Sequence, residues 1–153
     1  MSTGQAAAKR NIRELPAGET LLAHEAMRAL RTAYDSEQRF VEHVDSVLRP
    51  VGYRLVAAFV TACEQAVAVA GFRISDNLAW GHHLYIDDLS TAPHARREGH
   101  AGALLKWLIE EGRRHGCGQL HLDSGVGPER FDAHRLYQNH GLAIYSHHFA
   151  RGL

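Results

Sequence analysis

Apolar positions along the chain change period several times. From Thr20 they fall at Leu22, Ala26, Ala29, Leu30 and Ala33, the spacing of one helical face. The segment DSEQRFVEHVDSVLRP repeats that spacing through Phe40, Val41, Val44, Val47 and Leu48. Asp35 with Gln38 resembles a capping box, and Pro50 follows the end. Short runs rich in β-forming residues come next. YRLVAAFV and AVAVAGFRI, separated by TACEQ, predict an antiparallel hairpin, and HHLYIDDLST a third strand that ends before Pro93. GHAGALLKWLIEEGRRHG returns to helical spacing, with Ala101, Leu104, Leu105 and Leu108 on one face. Basic residues and Gly116 end it. QLHLDSG predicts a strand, PERFDAHRLYQNHG a short helix closed by Gly141, and LAIYSHHFA a last strand. Ahead of Pro16 and Gly18, KRNIREL predicts the first strand.

The predicted order is β-α-α-β-β-β-α-β-α-β. It indicates an α/β (α+β) fold, a mixed sheet with helices on both faces. Residues 1–8 are expected to be a disordered start and 9–153 a single domain. The 153 residues leave room for a real core, and no repeat or linker divides them.

Composition narrows the function. Seventeen basic and seventeen acidic side chains give a net charge of zero, which speaks against a general nucleic-acid binder. No run reaches the ~18 apolar residues of a membrane span. The opening MSTGQAAAKRNIREL has no apolar signal core, so the expectation is a soluble, cytoplasmic protein without a membrane partner. Cys63 and Cys117 form no CxxC pair and read as reduced, part-buried thiols, Cys117 as a packing residue. Twelve histidines make net charge responsive near pH ~6.5.

The chemistry concentrates in RREGHAGALL, Arg96–Leu105. One reading is a plain helix start, with glycines for packing and arginines in water. The other is an anion cradle. The first turn of a helix has N–H groups without partners and the positive end of the dipole. Glycine lets a ligand approach, and two arginines add charge. The stretch is neither a Walker A loop nor a dinucleotide fingerprint.

Arg96-x-x-Gly99-x-Ala101, followed by Ala103-Leu104-Leu105, resembles the acetyl-CoA signature Gln/Arg-x-x-Gly-x-Gly/Ala of the GNAT superfamily of N-acetyltransferases. AHRLYQNHGL resembles that family's Ala-x-x-x-Tyr-x-x-x-Gly-Phe element, and the likeness covers roughly residues 52–150. The sequence departs at His100, where an aliphatic residue is usual, at Ala101, the less common choice, and at Leu142, which replaces Phe. His100 is placed to crowd or hydrogen-bond the cofactor.

The resemblance implies a mostly antiparallel sheet with two strands splayed around a slot, and acetyl-CoA as cosubstrate with no metal. It places the pyrophosphate on Arg96, Arg97, Glu98, Gly99, His100, Ala101 and Gly102. The pantetheine arm pairs with Leu89, Ser90 and Thr91, and a backbone N–H near Leu89 holds the thioester carbonyl. The acceptor amine attacks the acetyl carbon directly. Tyr137 matches the family's tyrosine and is the candidate general acid, a phenol of pKa ~10 able to protonate a departing thiolate.

Asp87 and Asp88 are the candidates for handling the amine. As strand neighbours they are expected on opposite faces, one toward the slot, unless a bulge intervenes. His121, Asp123, Ser124 and His134 are candidate substrate contacts or relay members. His and Asp also bind zinc, but their spacing here matches no compact metal motif. Ser124 lacks a nucleophile elbow. The expected partner is a primary amine on a small molecule or peptide. The alternative is an acyl-CoA-binding sensor or assembly module of the same fold. A histidine-based metal hydrolase is a third reading. The last strand is a pairing edge for a homodimer.

Overall fold

The β-rich runs pair with one another in sequence order. The computed structural model describes residues 9–153, so the expected disordered start at 1–8 lies outside the described residues. Strands β1 (Arg10–Leu15), β2 (Arg54–Val60), β3 (Ala68–Asn77), β4 (Gly81–Thr91) and β5 (Gln119–Leu122) lie side by side in that order. The pairings are antiparallel from β1 to β4 and parallel between β4 and β5. A parallel pair needs a crossover, and α3 (His100–Arg114) supplies it.

Side-chain alternation divides the core into two layers. Leu55, Ala57 and Val69 face α1 (His24–Arg28) and α2 (Glu37–His43), where they meet Met27, Phe40 and Val44. Val56, Ala58, Ala70, Phe72 and Leu84 face the other way, against Leu104, Leu105 and Leu108 of α3 and Tyr137 of α4 (Phe131–Asn139). Each fully buried leucine of this layer contributes roughly 1.5–3 kcal/mol by leaving water. The mixed, mostly antiparallel sheet with helices on both faces agrees with the sequence.

Three local expectations change. The first helix stops at Arg28, and Thr32–Tyr34 forms a separate 3-10 turn, so Ala33 leaves the helical face. Ser36, not Asp35, caps α2: its Oγ accepts from the Arg39 N–H, while Asp35 pairs with Arg28. The segment LAIYSHHFA is not a strand. The Leu142 N–H closes on the Tyr137 carbonyl, and residues 143–153 then run exposed without a ladder partner among the described residues. Strand propensity reflects fit to a paired, half-buried surface, and no edge of this chain takes the segment up.

Candidate active site

The site begins at an irregularity in β4. Phe72 pairs with Ile86 and Gly71 with Asp88, which leaves Asp87 as the extra residue of a β-bulge. The bulge inverts the alternation. Leu84 and Ile86 point into the α3 layer, but Ser90 points into the α1 layer, where its Oγ donates to the Ala26 carbonyl at 2.7 Å. Asp87 and Asp88 therefore do not take opposite faces, and both line one cavity.

Both carboxylates are already held. Asp87 takes a bidentate pair from Arg73, at 2.7 and 2.8 Å. Asp88 accepts from Arg31 Nε at 2.6 Å and from the Tyr53 hydroxyl at 2.7 Å. Gly71 makes the last contact possible, because a methyl there would overlap the Tyr53 ring and hydroxyl. Burial pushes the Tyr53 phenol well above its usual range, and the Asp88 charge adds to this, so the hydroxyl stays a donor.

The same strand then parts from its neighbour. β5 pairs with β4 only from His83–Gln119 to Ile86–Leu122, while β4 runs on to Thr91. Leu89, Ser90 and Thr91 thus present a backbone edge that β5 does not cover. A cavity of about 230 Å³ opens at the split. Leu30, Arg31, Asp87 and Asp88 line it from one layer, and Tyr137, Arg130, Leu122 and Asp123 from the other side. A smaller cavity of about 90 Å³, lined by Met27, Phe40, Val44 and Tyr53, meets the first at Arg31 and Asp88. Tyr137 is buried, and burial raises its phenol above the ordinary value while Arg130 beside it works in the opposite direction. The net effect keeps the hydroxyl protonated at neutral pH.

β4 leads through a short turn into α3. Arg97 adopts φ +66° and Gly99 φ +81°, and no side chain caps the α3 N-terminus. An arginine in the left-handed region costs on the order of 1–2 kcal/mol, a strain typical of ligand-binding turns. The side chains of Arg96 and Arg97 are exposed, Arg97 lying 3.8 Å from Asp132, in the turn that leads into the uncapped amides of His100, Ala101 and Gly102. These features fit an anionic pyrophosphate.

The His100 side chain turns away from this surface. It is buried, with Nδ1 accepting from Arg10 Nε at 2.9 Å and Nε2 contacting Glu98 at 3.1 Å, while Arg10 also donates to the Glu98 carbonyl. It pins the turn to β1 rather than crowding a ligand. A methyl on Gly102 would face Leu136 of α4 and His140 at its C-terminal cap, so Gly102 sets the helix–helix approach.

The other predicted residues scatter. Asp123 lines the slot, where it accepts from the Tyr85 hydroxyl. His121 stacks on Trp80 with ring centroids 3.8 Å apart, and burial holds its imidazole below the usual value, with His83 adding to the shift. Ser124 meets Arg130 only at 3.5 Å. His134 contacts the Gly125 carbonyl at 2.7 Å and so braces the loop after β5.

Residues 20–142 match the sequence model of the family described as Acetyltransferase (GNAT) family. Over 126 residues the chain is 32% identical to an uncharacterised N-acetyltransferase of Bacillus subtilis (strain 168), covering 82% of this chain and 85% of that one. The chain belongs to the GNAT family. Its fold is that of a Trypanosoma brucei acetyltransferase, with a TM-score of 0.76 at 20% identity over 95% of this chain and 100% of the other. It is also that of the aminoglycoside N-acetyltransferase AAC(6')-Iy, whose structure contains CoA, with a TM-score of 0.73 at 17% identity over 97% of both chains.

For this GNAT chain, sequence reasoning missed Arg31, Arg73, Tyr53 and Arg130. Only Arg130 carried a local signal. It lies seven residues before Tyr137, at the N-cap of the helix that carries the tyrosine. The other three come from distant segments: Arg73 from β3, Arg31 from the turn after α1 and Tyr53 from the residue before β2, and only the folded chain brings them to β4.

Proposed function

We propose that the protein is an acetyl-CoA-dependent N-acetyltransferase acting on a primary amine of a small molecule or peptide. The observation that carries this reading is the split between β4 and β5, which joins the two layers through one polar cavity bounded by Tyr137 and by Asp87 and Asp88. The uncapped α3 turn and the free edge at Leu89–Thr91 suit the pyrophosphate and pantetheine of the acyl donor on one side. The α1–α2 side, with its smaller apolar cavity, suits the acceptor.

In this reading the Asp87, Asp88 and Asp123 carboxylates attract the acceptor's ammonium, and Arg73 and Arg31 hold the first two in place. Because guanidinium groups already occupy those two, the amine's proton leaves through water at the carboxylate wall. Tyr137 donates its phenolic proton to the departing thiolate, and Arg130 offsets the negative charge that develops there.

The test is a panel of primary amines, including aminoglycosides, polyamines and peptide N-termini, assayed for thiol release from acetyl-CoA with mass-spectrometric detection of N-acetyl product. Product from at least one amine is the expected result. Tight acetyl-CoA binding without product from any amine class would support the acyl-CoA-binding module instead.

A further inference from the structure

We propose that the acceptor is a free α-amino acid with a compact apolar side chain, about the size of leucine or methionine. This rests on the N-acetyltransferase reading and names its substrate class. The smaller cavity carries the argument. It holds about 90 Å³ and is walled by Met27, Phe40, Val44 and Leu48, with Tyr34, His43 and Tyr53. A void of ~150 Å³ takes a benzene ring, so this one takes an apolar group of about four carbons. Met27, Phe40 and Val44 are buried members of the α1–α2 core layer, so packed helices and not a loop shape the space.

The two cavities meet at one ion pair, because Arg31 and Asp88 line both. An acceptor whose amine reaches the carboxylate wall of the larger cavity therefore has its apolar group only a few bonds away. A substituent on the amine-bearing carbon satisfies that spacing.

Charge excludes the polycations. Of the carboxylates lining the slot, Asp87 and Asp88 are paired with Arg73 and Arg31, and Asp123 meets no guanidinium among the described residues. The wall thus matches one ammonium. A second ammonium entering the smaller cavity would meet only Asp88, which Arg31 and the Tyr53 hydroxyl already hold. Arg31 also supplies the opposite charge. Its Nε donates to Asp88 and its Nη2 to the Asp87 carbonyl, while its Nη1 makes no hydrogen bond among the described residues and the side chain is 48% exposed. A guanidinium edge is suited to a carboxylate. An α-amino acid brings ammonium, carboxylate and apolar group together on one carbon.

Acetyl transfer by the full chain to glycine, alanine, leucine, methionine, phenylalanine, tryptophan, leucinamide and spermidine tests this. Calorimetry of leucine and alanine on the CoA-loaded protein gives a second readout. From alanine to leucine kcat/KM is expected to rise about fiftyfold, roughly fourfold per buried methylene, and to fall again at tryptophan. Replacing leucine by leucinamide should lower it about tenfold or more, through loss of the charged hydrogen bond. Leu48→Phe narrows the cavity and should cut the leucine-to-alanine ratio about tenfold, whereas Val44→Ala widens it and should favour phenylalanine over leucine. If Val44→Ala fails to fold, Leu48→Phe, at a half-buried position, still decides.

Equal turnover of alanine and leucine, a preference for spermidine, or a ratio that Leu48→Phe leaves unmoved overturns the proposal while the N-acetyltransferase reading stands. Equal turnover of leucine and leucinamide overturns the free-acid assignment. Product from no amine at all ends the N-acetyltransferase reading instead. Calorimetry then decides the cavity: leucine bound about tenfold tighter than alanine upholds its assignment, and no difference overturns it.

Discussion

Two arginine–carboxylate networks sit on this sheet and do different work. In one, Arg54 of β2 holds Glu14 at 2.7 Å and the buried Glu111 of α3 at 2.6 Å, with Arg114 also on Glu111. It packs against the Phe72 ring and lines neither cavity. In the other, Arg73 and Arg31 hold Asp87 and Asp88 beside a cavity, at a bulge, next to an unpaired strand edge. The ion pairs are equally short, so pairing alone does not mark a site. What separates the networks is what adjoins them: packed side chains in the first, open volume and free backbone in the second.

Breaking one member of each network tests the contrast, and the largest expected effect lies in the slot. Tyr137→Phe keeps the ring and removes the proton donor. Turnover should fall by about a hundredfold or more, with acetyl-CoA affinity within a factor of ~2. Because burial raises the Tyr137 phenol, alkaline loss of wild-type turnover from this group should have its midpoint above the ~10 of a free phenol.

Glu111→Gln should do the reverse, lowering stability with kcat intact. Burial pushes the Glu111 carboxyl up, but Arg54 and Arg114 override it and hold it down at about 2, against 4.5 when free. A depressed carboxylate stabilises the fold above its free value and loses that contribution as pH falls from 4.5 toward 2. The difference corresponds to about 3 kcal/mol at neutral pH, an upper figure for this substitution. Denaturant melts of both proteins between pH 7 and pH 3 check it: the gap should narrow with acid.

Gly71→Ala addresses the coupling between fold and slot. The added methyl displaces Tyr53 and strips Asp88 of one partner. The expected result is a fall of about tenfold in kcat/KM and a loss of ~1–3 kcal/mol in stability. Unchanged kinetics with lowered stability would remove Tyr53 from the account of the slot.

Much of this was legible in the chain. The strands through β5, the glycine turn into α3 and the helix that carries Tyr137 follow from period and glycine placement, which are local signals. The bulge was not legible, because it is a property of register: Gly71, Tyr53 and Asp88 meet only when β3 and β4 pair. The partners of Asp87 and Asp88 come from β3, from the turn after α1 and from the residue before β2, contacts no local window contains. His100 departs from the family pattern for a reason outside its motif, its bond to Arg10 on β1. The last segment shows the limit of propensity: Ile144, Tyr145 and Phe149 announce a strand, but no strand edge among the described residues takes it up.

The turn before α3 is the proposed seat of the acyl donor at the mouth of the β4–β5 split. Calorimetric titration of acetyl-CoA into the wild type and into Arg96→Glu/Arg97→Glu tests it directly. The predicted result is micromolar binding to the wild type, weakened at least tenfold, or about 1.4 kcal/mol, by the charge reversal. No binding to a folded wild type, or equal binding to both proteins, would contradict the placement and leave RREGHAGALL as a helix start alone.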